Sequence, residues 1–187
     1  MHSSWSGPGF AQDGTHPVVN VNWDEAKAFC AWLTKKEQGE GKLKAGQEYR
    51  LPTDAEWSYA VGIGDKEGNG TPKDKDGKLS GVYPWGTQWP PPKGTGNYGQ
   101  SLAVDNYEYT SPVGSFKANP YGLYDMGGNV WQWCEDYYYG QSASRVLRGA
   151  SWFTLMPDGM QSSYRSSGTP DYRVNYFGFR VVVVAGP

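Results

Sequence analysis

Thiols and imidazoles are scarce in this chain, and where they sit limits the chemistry open to it. Of 187 residues two are cysteine, Cys30 and Cys134, and two are histidine, His2 and His16. A soft-metal or thiol-redox centre needs convergent sulfurs, and these two cysteines lie in different patterned segments. They could pair if the first helix packs on a strand at 131–136; two buried free thiols are the preferred reading. A Ser-His-Asp triad needs an imidazole set in a pocket, whereas His16 stands beside Pro17 in a loop and reads as an exposed turn residue. Glu135 and Asp136 are adjacent, so on a strand they face opposite ways and form no acid–base pair. These residues argue against an enzyme.

A different chemistry fills residues 152–177. Tyr, Ser, Gly, Arg and Trp dominate there, a vocabulary of rigid amphipathic rings and small polar hydrogen-bonders that suits recognition. Phe153, Asp158, Tyr172, Arg173, Tyr176 and Phe177 lack the spacing of a buried strand and are expected to be exposed and to contact a partner. Trp152 and Arg165 are expected to be buried structural members.

The elements that must position this segment are legible in part. Asn22-Trp-Asp-Glu25 is a capping box, and Trp23, Ala26, Phe29, Cys30 and Leu33 recur at helical spacing behind it, up to Gly39 and Gly41. Thr53-Asp-Ala-Glu56 opens a second helix carrying Trp57, Ala60 and Val61, which Gly62 and Gly64 end. Residues 64 to 100 read as a long irregular excursion, uncommon unless functional or pinned. Short strands are expected at 112–116, 131–136, 146–152 and 178–184. Phe179-Arg-Val-Val-Val-Val184 suits a central strand. Trp131, Trp133 and Phe179 are expected core residues.

Composition bounds the rest. The chain has the length of one domain, with 26 Gly and 13 Pro to make turns and 16% aromatics to fill a core or a surface. A net charge of −2 gives no bulk electrostatic case for nucleic acid. No stretch approaches the ~20 apolar residues of a membrane span, so no membrane insertion is expected. Met1-His-Ser-Ser-Trp-Ser-Gly-Pro has no apolar core, so no signal peptide is read there.

Three blocks stand out: Tyr121-Gly-Leu-Tyr-Asp-Met-Gly-Gly-Asn-Val-Trp-Gln-Trp-Cys-Glu-Asp136, Arg148-Gly-Ala-Ser-Trp152 and Gly178-Phe-Arg180. With Arg50-Leu-Pro-Thr-Asp-Ala-Glu-Trp57, Tyr83-Pro-Trp-Gly86 and Val113-Gly-Ser-Phe116 in the same order, they resemble the formylglycine-generating-enzyme (sulfatase-modifying-factor) family from about Pro17 to Val182. The resemblance implies a single α+β domain over 1–187 with a C-type lectin-like fold: two helices, short antiparallel strands and much irregular loop. The family's enzymes place two copper-binding cysteines between the second and third blocks, and the matching Trp152-Phe-Thr-Leu-Met-Pro-Asp-Gly159 has none. A second, iron-dependent branch draws mostly histidines from an additional helical domain. The expectation is therefore this scaffold with neither copper nor iron chemistry.

The resemblance also implies structural calcium. A first site would fall on Asn97, the Tyr98 carbonyl, Asp105 and the Tyr107 carbonyl, and a second on Asp125, the Gly128 and Val130 carbonyls and Gln132. Such oxygen sets suit a hard cation and would pin the loops. The alternative is that Asn97 and Asp105 are turn residues and that Asp125 caps a turn. In C-type lectin folds the 152–177 region faces the ligand, which implies a protein partner; the Glu-Pro-Asn or Gln-Pro-Asp signature of sugar binding is absent. The arrangement further resembles the variable proteins of diversity-generating retroelements. Randomised Asn codons give Phe, Tyr, Ser, Asp, Arg, Val and Gly but not Met, Trp or Gln, so Trp152, Met156, Met160 and Gln161 would be fixed. Competing readings are an invariant interaction domain of a larger bacterial protein such as a kinase fusion, or a family-type oxidoreductase. Calcium would suit surface display through a larger assembly.

Overall fold

Two capping boxes start the two longer helices of the computed structural model, which describes residues 4–140 and 143–185. Helix α1 (Trp23–Gly39) begins where Asn22 Oδ1 accepts from the Glu25 amide at 2.8 Å and Glu25 Oε2 accepts from the Asn22 amide at 3.0 Å. Strand β1 (Gln47–Arg50) leads into α2 (Asp54–Val61), which has the same reciprocal cap between Thr53 and Glu56 and closes on Gly62 at φ 93°. Both Arg50 Nη atoms donate to the Glu56 carboxylate at 2.7 Å, fastening the end of β1 to the first turn of α2. A one-turn helix α3 (Pro72–Lys75) interrupts the following loops. Then come β2 (Trp131–Tyr137), β3 (Arg145–Arg148), a one-turn α4 (Pro157–Met160), β4 (Ser166–Gly168), β5 (Phe177–Gly178) and β6 (Val182–Ala185).

Four strands form one sheet in the order β4-β3-β2-β5, with β3 antiparallel to both neighbours and β5 parallel to β2. Strands β1 and β6 form a separate antiparallel pair. Strand β2 is buried over its first four residues because both of its faces are covered. Trp133, fully buried, lies opposite Leu147 and meets the Phe177 ring edge-on at 5.4 Å. Its indole N–H donates to the Val21 carbonyl at 3.1 Å, so α1's entry and the sheet share one core. Cys30 and Cys134 are both buried and free, as preferred from the sequence. No helix among the described residues is long and apolar enough to cross a membrane.

Several elements differ from expectation. Residues 112–116 form a turn, since Pro112 offers no N–H, Gly114 takes φ 77° and the Gly114 amide goes to Asp125 Oδ2 at 2.8 Å. The strand expected at 146–152 stops at Arg148 because Gly149 and Ala150 turn left-handed, at φ 97° and 64°. The 178–184 run is not a central strand. It splits at Arg180, whose side chain turns inward, and β6 then pairs with β1 as a half-exposed edge. Phe179 is accordingly only partly buried, against Phe29 at 5.4 Å. Strands β1 and β4 were not expected at all.

The 64–100 excursion is pinned by charge. Arg165, fully buried, donates to Asp54 (3.0 and 2.9 Å) and to Glu67 (2.5 and 2.7 Å). Arg148 reaches the same Asp54 carboxylate, and its Nη2 donates to the Ser162 carbonyl at 2.8 Å. The knot joins α2, the loop after it, β3 and the segment before β4. Burial alone would push the Asp54 carboxyl up, but Arg148 and Arg165 outweigh it and hold it below the usual carboxylate range.

Removing one partner of a buried ion pair costs about 3–5 kcal/mol, so Asp54→Ala should lower unfolding free energy by that amount in a urea titration. A loss under about 1 kcal/mol would show the knot to be incidental. Trp133→Ala should cost about 3–5 kcal/mol, and Phe179→Ala clearly less. The Glu56 carboxyl is held down to about 2, against 4.5 when free, chiefly by Arg50. A depressed acid stabilises above its unfolded value and loses that contribution as pH falls toward the folded one. Glu56→Gln should therefore flatten the acid limb of stability between about pH 4.5 and 2 while leaving the slope above it unchanged.

Candidate functional site

The segment between β3 and β6 leaves the sheet at Gly149 and is tied down at intervals by backbone contacts. The Trp152 amide donates to the Asn129 carbonyl at 2.9 Å, and the Gly99 amide to the Thr154 carbonyl at 2.9 Å. Met160, at the end of α4, is buried, and the Ser162 amide then reaches the Val82 carbonyl at 2.8 Å. Beyond β4, Thr169 and Asp171 shape a turn, and Arg173 forks onto Glu25 (2.7 and 3.1 Å), adding its guanidinium to α1's capping box.

Between these ties lies a continuous ladder of rings. Phe10 stacks on Tyr109 at 4.5 Å, and Tyr109 meets the Trp152 ring edge-on at 5.1 Å. Phe153 is perpendicular to Trp152 at 5.6 Å and stacks on Tyr176 at 5.6 Å. Tyr176 continues to Phe177 and that ring to Tyr172. Phe153 is 63% exposed and Tyr172 49%, with Leu155 and Met156 also open to solvent. Asp158 is exposed on α4, where its carboxylate accepts from Gln161 at 3.0 Å.

Of the six residues expected to be exposed, Phe153, Asp158 and Tyr172 are so, and Tyr176 is half-buried inside the ladder. Arg173 is half-buried and ion-paired rather than free. Phe177 is a correction: it is 5% exposed, because pairing of β5 beside β2 turns its ring onto Trp133. Trp152 and Arg165 are buried as expected. Phe10 and Tyr109 belong to the surface and were missed. Tyr109 stands in an aromatic run, Tyr107-Glu-Tyr109, but nothing in the sequence pattern near Phe10 points to it.

The two oxygen sets differ in their fitness for a cation. In the first, Asn97 is fully buried; its amide Nδ2 donates to the Tyr109 carbonyl at 2.7 Å, while its Oδ1 has no hydrogen-bond partner. Asp105 accepts from the Tyr98 amide at 3.0 Å and the Tyr107 amide at 2.8 Å, which draws the three residues together. A buried oxygen without a partner is the kind of group a hard cation satisfies, and Asp105 supplies a carboxylate bound to the amide of Tyr98, the residue after Asn97. The second set does not fit. Gln132 Oε1 is taken by the Trp57 indole N–H at 2.9 Å and by Arg180 Nε at 2.6 Å, while Arg180 Nη2 holds the Tyr124 and Asp125 carbonyls. A guanidinium already supplies the positive charge beside a 520 Å³ cavity lined by Asp125, Gln132 and Phe179. Burial pushes the Asp125 carboxyl up.

Gly128 joins the two sets, because a Cβ there would meet the Asn97 carbonyl oxygen at 2.4 Å.

The cysteines lie in two separate core clusters, Cys30 in the one that also holds Phe177 and Cys134 in the other. Burial pushes the Cys30 thiol up to about 11 and the Cys134 thiol well above its usual value, so neither supplies a thiolate at neutral pH. His16 sits in its turn as expected, but half-buried, with Nδ1 2.9 Å from Thr110 Oγ1. His2 lies outside the described residues. Among those described, no cluster of three or more His, Cys, Asp or Glu is placed to hold a metal.

Residues 2–185 match the family described as sulfatase-modifying factor enzyme 1-like domain. The inactive C-alpha-formylglycine-generating enzyme 2 of Bos taurus is 34% identical over 197 residues, covering 96% of this chain and 54% of its own. The formylglycine-generating enzyme of Streptomyces coelicolor is 34% identical over 191 residues, 88% of this chain and 52% of its own. The serine/threonine-protein kinase pkn1 of Chlamydia caviae is 33% identical over 190 residues, 92% of this chain and 24% of its own. This chain thus spans about half the length of the first two relatives. Among solved structures, Treponema denticola variable protein 1 superposes with a TM-score of 0.68 at 28% identity, over 95% of this chain and 74% of that one. The chain therefore belongs to the sulfatase-modifying factor enzyme 1-like domain family and has its C-type lectin-like, α+β fold.

Proposed function

We propose that this chain is a non-catalytic recognition module that binds a protein partner through the ring ladder of residues 152–177, as a variable protein of a diversity-generating retroelement does. The observation that carries this reading is the placement of exposed rings at Phe153 and Tyr172 between buried anchors, Trp152 and Met160 flanking the first and Arg165 and Phe177 the second. Exposed side chains on an anchored backbone change with little effect on stability, usually within about 0.5 kcal/mol. Of the four residues that adenine-directed mutagenesis cannot create, Trp152 and Met160 are buried, Gln161 is half-buried and Met156 is exposed, so burial accounts for two of them. The segment holds no cysteine or histidine, and the two thiols elsewhere are buried in the core. The likeness to a variable protein supports the reading, as does that to a relative named inactive.

A second reading is a fixed interaction domain of a larger protein. The kinase relative favours it, because this chain corresponds to only 24% of that protein's length. The two readings share the surface and differ in whether it varies.

A calcium ion is proposed as a structural part of the scaffold at the first oxygen set only. Asn97 Oδ1, the Asp105 carboxylate and the carbonyls of Tyr98 and Tyr107 would hold it, and its contribution would be to fasten the 97–107 loop beneath the ring ladder. Surface display through a larger assembly would supply that ion.

Sequencing the gene's 3′ end across its source population should find substitutions concentrated at adenines encoding 152–177, with 121–136 and Gly178 to Arg180 constant. A constant segment would leave the fixed-partner reading. Tyr172→Ala should leave Tm within about 1–2 °C; a drop of many degrees would make that ring structural and remove it from the surface. Calcium added after chelation should raise Tm by several degrees, as a ligand at ~100 times its Kd adds about 2.7 kcal/mol. The rise should vanish in Asn97→Ala; a rise that persists there places the ion elsewhere.

A further inference from the structure

Three rings of the ladder form an open box. Tyr109 and Phe153 each stand nearly perpendicular to Trp152, at 72° and 70°, with centroids 5.1 and 5.6 Å from it. Both line one hollow of 400 Å³ together with Trp152, Leu155 and Glu108. Trp152 is 9% exposed, so it is the floor, while Tyr109 and Phe153 are exposed walls. The walls are held in place: Phe10 stacks behind Tyr109 and Tyr176 behind Phe153. Leu155 closes one side by packing over Gly99, where a Cβ would meet its Cδ2 at 2.2 Å.

The box also has a charge. Glu108 stands exposed at the rim, and its carboxylate, beside the Tyr109 hydroxyl, raises the pKa of that phenol. Aromatic faces attract cations through their quadrupole, and a carboxylate at the edge adds to the pull. Among the described residues the chain's own cation–π contacts lie elsewhere, on Trp23, Trp32, Trp57, Tyr137, Tyr138 and Tyr139. Among the described residues, no cation of this chain sits over the rings of the box.

We propose that the Tyr109–Trp152–Phe153 box, with Glu108 at its rim, receives a lysine or arginine side chain of the protein partner. This inference rests on the recognition reading above and names the chemistry of its anchor. Trp152 lies at a position that adenine-directed mutagenesis cannot have written, and Tyr109 and Glu108 lie outside 152–177. The floor, one wall and the charge would stay constant while Phe153 and its neighbours vary. Copies of the protein would differ in what surrounds the cation, not in the demand for one.

The test titrates the full chain with acetyl-Gly-Arg-Gly-amide and acetyl-Gly-Lys-Gly-amide, following the indole N–H resonance of Trp152, assigned with Trp152→Phe. The citrulline tripeptide serves as the neutral isostere of the arginine one. Both cationic peptides should shift the resonance saturably, and citrulline should bind at least several-fold more weakly. Glu108→Gln and Phe153→Leu should each weaken the cationic peptides by roughly three- to ten-fold, with spectra otherwise unchanged, since both side chains are exposed. Equal binding of arginine and citrulline peptides would overturn the cation assignment and leave a ring surface that recognises something neutral. No shift with any peptide would also overturn it, while the population sequencing and the Tyr172→Ala melt test the recognition reading independently.

Discussion

Two guanidiniums and two carboxylates, shut away from water, hold this molecule together. Arg148 and Arg165 meet Asp54, and Arg165 also meets Glu67, with side-chain exposures of 0–2% across the set. In sum the four charges cancel, which is the condition for burying any of them. Ion pairs of this kind add little net stability compared with a well-packed apolar core; what they supply is directionality. A guanidinium fork donates in pairs to a carboxylate that lies in its own plane. Asp54 can satisfy both arginines only if α2, β3 and the segment before β4 converge at one point. Glu67 then draws in the loop that follows α2. Residues far apart in the chain and poor in regular structure thus acquire one arrangement.

A domain with 26 glycines and 13 prolines needs such devices. Its hydrophobic cluster is built around Trp133, Leu147 and Phe177, where β2, β3 and β5 meet, with α1 supplying Ala26 and Cys30. Irregular segments reach that cluster with few apolar anchors and many backbone groups to satisfy. Polar side chains do much of the rest. Asn129 exchanges both amide groups with Ser111's backbone at 3.1 Å. Asp76 accepts from the Arg165 amide and the Tyr138 hydroxyl. The calcium proposed at Asn97 and Asp105 would be one more member of the same class of fastening.

How far the sequence foretold this depends on the range of each interaction. The caps at Asn22 and Thr53 were legible because a capping box closes within four residues. Trp133 was legible as buried through its motif, and Arg165 was expected to be a buried member of a segment otherwise read as surface. Phe177 was not: its burial follows from β5 lying parallel to β2, a pairing set by the whole intervening segment. The apolar run 179–184 read as a central strand because periodicity cannot report that Arg180 turns inward and cuts it in two. The second oxygen set had suitable atom types, but only geometry shows that Gln132 points its oxygen at the Trp57 indole and at Arg180. The part of the aromatic surface that lies within 152–177 was readable as composition. Phe10 and Tyr109 joined it from loops whose path local pattern does not encode.

The ties along the 149–181 segment carry a consequence for how such a surface can evolve. Its fixed points, at Trp152, Thr154, Ser162, Arg165 and Arg173, bind backbone atoms or side chains to partners in other parts of the fold. Successive points are two to eight residues apart. Exchanging one residue for another leaves every tie in register, whereas inserting or deleting one would drag the next anchor off its partner. Novelty on this face must therefore come at constant length, through the lettering of the loop and not through its size. That is the opposite arrangement to an antibody's third hypervariable loop, where length itself is a source of variety.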